Sequence, residues 1–173
     1  MPGFFAIPVG GLKVGQHTFD FEINNEFFEQ FEGSDVKAGM LKGKVDADKR
    51  SSHMDLIIGI KGTVNLSCDR CLGQTSQPVD CSNRLLVKFG KTHDESDPDI
   101  ITMPAEEHEL DMGHYFYEYI CLALPIKRVH PDDKDGNSTC DPDMLGRLKE
   151  HMVSDEAGTD PRWNELKKLM NNN

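Results

Sequence analysis

Two cysteines stand two residues apart in Leu66-Ser67-Cys68-Asp69-Arg70-Cys71-Leu72-Gly73, a tight polar turn between two runs that read as β-strands. No other stretch constrains the fold as much. The turn brings two sulfurs together, and so short a connection favours antiparallel strands on either side of it. Before the turn, Met54, Leu56, Ile58 and Ile60 share one face, and Val64 and Leu66 continue the run beyond Gly62, where a bulge or bend is expected. After it, Val79, Cys81, Leu85, Val87 and Phe89 share one parity along a second long strand, which makes Cys81 a buried free thiol. Gly73 is expected to let the backbone turn beneath the two sulfurs.

The remaining elements follow from periodicity. Residues 16–23 alternate, with Phe19, Phe21 and Ile23 on one face. Asn24 or Asn25 caps a short helix carrying Phe27, Phe28 and Phe31, which Gly33 ends. Residues 36–47 form a glycine-rich strand, joined to the next by the polar turn 48–51. Residues 94–111 hold eight acidic residues and no Lys or Arg, and read as a solvated linker or acidic loop with a short strand at Ile100-Ile101. Asp111 is the expected N-cap of a helix over 112–124, ended by Pro125. Phe116, Tyr119, Ile120, Ala123 and Leu124 turn towards the sheet, with Cys121 beside that stripe. A long connection then leads to Cys140, and Asp141-Pro142 opens a further helix with Leu145 and Leu148. Asp160-Pro161-Arg162-Trp163 starts a last one with Trp163, Leu166 and Leu169. The expected fold is α+β: an antiparallel sheet meander with helices packed on it, a long acidic loop and C-terminal helices. One domain spans 1–173, with its core at about 10–140 and a helical extension over 141–170.

Charge narrows the function. With 19 Lys+Arg against 30 Asp+Glu in 173 residues, the net charge is −11, which repels bulk nucleic acid and favours basic partners. No run reaches the ~18 apolar residues of a membrane span, and the N-terminus lacks the pattern of a signal peptide, so the cytoplasm is expected. Five cysteines there argue against a disulfide framework and for thiols or metal ligands. No Gly-rich phosphate loop or Ser-centred elbow is present.

Zinc suits the cysteine turn best. Two thiolates supply one edge of a tetrahedron, and His130 and Cys140 lie in the one long irregular connection, where distant ligands are found. Cys68, Cys71, His130 and Cys140 would then form a Cys3His site. A thiol redox centre is the rival. It wants the first cysteine at a helix N-terminus, whereas strand sequence follows here. The plain alternative is two reduced thiols and a loop histidine. Arg70, Arg84, Lys88 and Lys91 give the hairpin a local excess of positive charge, suited to RNA phosphate or a partner surface, though without aromatics for base stacking.

Three modest motifs in order resemble one family. Cys68-Asp69-Arg70-Cys71-Leu72, the acidic stretch ending Glu109-Leu110-Asp111, and Glu118-Tyr119-Ile120-Cys121-Leu122-Ala123-Leu124-Pro125 are similar to the YceD (DUF177) family of large ribosomal RNA subunit accumulation proteins. His130, Cys140 and the closing Asp160-Pro161-Arg162-Trp163 fit the same pattern. The resemblance implies a non-enzymatic role in accumulation or maturation of large-subunit (23S) rRNA in bacteria. Its implied partner is a ribosomal protein or a pre-50S particle, with rRNA itself a further candidate. A zinc-stabilised interaction module without an RNA role remains the runner-up.

Overall fold

The computed structural model describes residues 5–97, 99–104 and 106–152. Nine of its elements build two sheets and the helix across them. Ala6–Ile7 (β1) pairs with Leu110–Asp111 (β8). The main sheet has the order β2-β3-β4-β5-β7-β6, from Gly15–Ile23 (β2), Ala38–Lys49 (β3), His53–Ser67 (β4), Gln74–Gly90 (β5), Asp94–Asp97 (β6) and Ile100–Pro104 (β7). Helix α1 is Asn25–Phe28, α2 is Gly113–Ala123 and α3 is Pro142–His151.

The period-2 pattern of each strand gives the sheet one apolar face. Val45, Ala47, Met54, Leu56, Ile58, Ile60, Val64, Leu66, Val79, Leu85 and Val87 are all buried there. Phe116 and Ile120 of α2 and Phe27 and Phe28 of α1 complete this core. Asn24 caps α1, its side chain accepting from the Phe27 N–H, and Gly33 follows at φ +77°. Asp111 takes the Gly113 N–H on its carboxylate (2.8 Å), while the N-cap position itself falls on Met112. Cys81 and Cys121 are half-buried, and the Cys81 thiol donates to the Tyr119 carbonyl at 3.8 Å.

Four features differ from the sequence expectation. First, β4 shows no bulge: its register with β3 and β5 runs in step through Leu41↔Gly62↔Val79. A Cβ on residue 62 would strike the backbone of Met40 and Leu41, so the glycine there permits close approach of β3. Second, the acidic segment is no loop, since β6, β7 and β8 lie within it. Ile101 and Met103 supply the buried alternation that anchors β7, while Asp94, Asp97, Asp99, Glu106, Glu107 and Glu109 are exposed. Third, β7 pairs with β5 in parallel, which departs from a pure meander. Fourth, β1 was too short to show a period. The final helix expected from Asp160 lies outside the described residues.

Candidate metal centre

The β4–β5 hairpin is fifteen residue pairs long, from His53↔Lys88 to Ser67↔Gln74. Its tip is the Cys-x-x-Cys turn. The turn closes by hydrogen bonds from the Cys68 N–H to the Gly73 carbonyl (2.8 Å) and from the Leu72 N–H to the Cys68 carbonyl (2.9 Å). Leu72, not Gly73, takes the left-handed conformation, at φ 59°. Gly73 lies beside the cluster: a Cβ there would be in ordinary contact, 3.4 Å from Cys71 Sγ and 3.5 Å from His130 Cε1.

The chain returns to this tip after α2 and is fastened by reciprocal backbone bonds. The Asp69 N–H donates to the Arg128 carbonyl, and the Arg128 N–H donates to the Asp69 carboxylate, both at 2.7 Å. The Arg128 guanidinium also pairs with Asp35 at 2.9 Å. Gln77 donates to the Val129 carbonyl. These contacts deliver His130 to the sulfurs, and Cys140 arrives where the following loop meets the start of α3.

The four expected ligands converge. One ligand atom from each of Cys68, Cys71, His130 and Cys140 lies within 4.8 Å of all the others. Cys68 Sγ is 3.7 Å from Cys140 Sγ, Cys71 Sγ is 3.4 Å from His130 Nδ1, and Cys140 Sγ is 3.6 Å from the same nitrogen. A tetrahedral zinc with Zn–S of about 2.3 Å and Zn–N of about 2.0 Å requires S···S edges of about 3.75 Å and S···N edges of about 3.5 Å. These three spacings are close to those edges. The donor set, three thiols and one imidazole, is that of a closed structural zinc site.

The surroundings prepare the ligands. His130 Nε2 lies 2.9 Å from the Gln74 carbonyl and therefore carries the proton, which leaves the Nδ1 lone pair facing the thiols. Burial pushes the Cys68 thiol up, but hydrogen bonds to its sulfur from the Cys71 and Arg70 N–H groups outweigh it and bring the pKa down to about 6. The Cys68 side chain and the Gln74 carbonyl raise that of His130. Cys68, Cys71 and Cys140 are all buried. A redox thiol must meet its substrate, and sulfurs enclosed in this way do not.

The basic residues do not form one patch. Arg70 sits at the metal end, 3.9 Å from Asp132, with its Nε buried and without a hydrogen-bond partner. Arg84 is held by Asp55 on the open face of the sheet, as Lys61 is by Asp80. Lys88 and Lys91 are exposed near the opposite end of the hairpin, roughly 45 Å from its tip at ~3.4 Å per residue. Sequence reasoning missed Asp69, Gln74 and Arg128, which bring the cysteines and His130 together. Only hydrogen bonds between distant segments mark them.

A family profile described as "Large ribosomal RNA subunit accumulation protein YceD" matches residues 57–170, the larger part of the chain and a span that includes all four converging residues. The chain belongs to this family. β1, β2, α1 and β3 precede the matched span. No curated protein and no solved structure matches the chain. The family's name speaks of accumulation of an RNA subunit, not of a reaction. Among the described residues, no helix is long and apolar enough to cross a membrane.

Proposed function

We propose that this chain is a cytoplasmic, non-enzymatic factor for accumulation of large-subunit (23S) rRNA, acting by binding a basic ribosomal protein or a pre-50S particle. Its Cys68, Cys71, His130 and Cys140 bind zinc as a structural clip. The observation that carries the reading is the family match over a span containing a four-residue cluster, three buried cysteines and a half-buried histidine, that could hold a metal. A closed site of that kind organises a surface and leaves no open coordination position for substrate.

Charge favours a protein partner over naked RNA. The net charge is −11, and Arg84 and Lys61 are each paired with a carboxylate, which leaves Lys88 and Lys91 as the exposed cations at the far end of the hairpin. An RNA-binding face would hold its cations free for phosphate. The test is co-sedimentation of the tagged protein with ribosomal particles across a salt series. The reading expects it with large-subunit precursors, weakened by Lys88→Glu/Lys91→Glu if RNA is touched and unchanged if the contact is to protein. Its absence from precursor particles at every salt concentration would refute the reading.

A further inference from the structure

We propose that the metal centre, and not the hydrophobic core, docks residues 131–152 onto the hairpin tip, so that metal loading sets the order of that segment and leaves the sheet unchanged. The proposal rests on the zinc reading above and adds what the metal controls.

The described residues pack into two separate apolar clusters. The large one joins the sheet, α1, α2 and the β1–β8 pair. The small one consists of Cys68, Cys71 and Cys140, with Val129, Met144 and Leu145 packed against it. Helix α3 buries none of its residues. Its apolar side chains Met144 and Leu145 lie against the sulfurs, whereas Leu148 and Met152 are exposed. A ten-residue helix with no buried face is not stable by propensity alone.

Hydrogen bonds divide at the same place. Up to His130, the returning chain is tied to other elements through Asp69, Asp35, Gln77 and Gln74. Beyond it, the bonds are local. Thr139 donates to the Pro131 carbonyl, Asn137 bonds Asp133, and Asp141 caps α3 by accepting from the Asp143 and Met144 N–H groups. Among the described residues, this stretch is attached to the rest of the chain by the half-exposed Arg70–Asp132 pair at 3.9 Å and, at the small cluster, by Cys140 with Met144 and Leu145 beside it. Exposed ion pairs of this length contribute little. Cys140 is the one buried residue among these attachments.

Its position makes that anchor effective. Asp141 and Pro142 follow directly, so the N-cap and a fixed proline φ tie the direction of α3 to the place of Cys140. The positive end of the helix also lies at a cluster of thiolates, a favourable arrangement once the sulfurs are deprotonated for metal binding. Without metal, the three sulfurs have no covalent link, and docking must rely on weak thiol contacts and on Met144 and Leu145. The result is a metal-dependent presentation of α3 and its exposed cations Arg147 and Lys149.

Hydrogen exchange read by mass spectrometry on the full-length chain tests this, with zinc bound, after stripping by a chelator, and in Cys140→Ser, with Cys81→Ser as a non-ligand control. Metal content is measured on each sample. The expected result is that amides of 142–151 exchange more than about tenfold faster when metal is removed, while those of 53–67 and 74–90 change by less than about twofold. Cys140→Ser should behave like the stripped protein and Cys81→Ser like the loaded one. Stoichiometric zinc with unaltered exchange in 142–151 would overturn the proposal and leave the zinc reading standing. So would loss of protection spreading through β4 and β5 together. A chain that takes up no zinc would overturn both.

Discussion

Gly62 and Gly59 lie in the same central strand, yet alanine should act differently at the two. At residue 62 the backbone has φ +158°, and an added Cβ would sit 2.6 Å from Leu41 Cα and 3.0 Å from Leu41 Cβ. Backbone cannot rotate away as a side chain can, so β3 must move. Overpacking of this kind costs about 1–3 kcal/mol, and an unfavourable backbone region adds about 1–3 kcal/mol. A total near 3 kcal/mol lowers Tm by about 6–12 °C in a chain of this size, at about 2–4 °C per kcal/mol. At residue 59 the nearest atom to an added Cβ is the Lys44 carbonyl oxygen at 3.9 Å, and alanine there is expected to be neutral or to stabilise by up to about 1 kcal/mol through a less flexible unfolded chain. Urea and thermal unfolding of the two single variants give the comparison directly. Equal stability of Gly62→Ala and Gly59→Ala would refute the in-step register through Gly62 and with it the straight hairpin that carries the metal centre.

Three further outcomes follow from the same structure. Tyr119 has a buried hydroxyl without a hydrogen-bond partner, so Tyr119→Phe should leave stability unchanged or raise it by about 1 kcal/mol. Burial pushes its pKa up to about 12, so above the ordinary tyrosine value near 10 the unfolded chain ionises first and stability falls as pH rises towards 12; urea unfolding between those limits should show a shallower loss in Tyr119→Phe. Asp69→Ala removes the carboxylate that receives the Arg128 N–H and should weaken zinc binding by about tenfold, measured by chelator competition, with unchanged affinity arguing against a positioning role. In the zinc-loaded protein, a thiol reagent should label the half-buried Cys81 and Cys121 before Cys68, Cys71 or Cys140, and rapid labelling of Cys68 or Cys71 would revive the redox alternative.

Much of this was legible in the sequence because the strands next to the core announce themselves. Residues 16–23, 54–66 and 79–89 alternate cleanly since one sheet face is buried and the other is open. The convergence of Cys68, Cys71, His130 and Cys140 was legible for a chemical reason: cysteine and histidine in an irregular connection have few other uses near a Cys-x-x-Cys turn. What stayed hidden depends on distant partners. β1 is a strand because Leu110–Asp111 lies beside it, and neither segment is long enough to show a period. The acidic stretch read as loop because its charges dominate the composition, while the buried Ile101, Met103 and Leu110 fix its place. Leu72 took the left-handed turn position that Gly73 was expected to fill, at φ 59°. Arg84 read as free charge because its partner Asp55 comes from the neighbouring strand.

The central claim, a zinc-clipped binding factor for large-subunit rRNA accumulation, meets its most direct test in rRNA profiling after depletion of the protein. Depletion should lower mature large-subunit rRNA and build up its precursor, with small-subunit rRNA spared. Re-supply of the wild-type chain should restore the profile, and a Cys68→Ser/Cys140→Ser chain should not. An unchanged large-subunit rRNA profile on depletion would contradict the account.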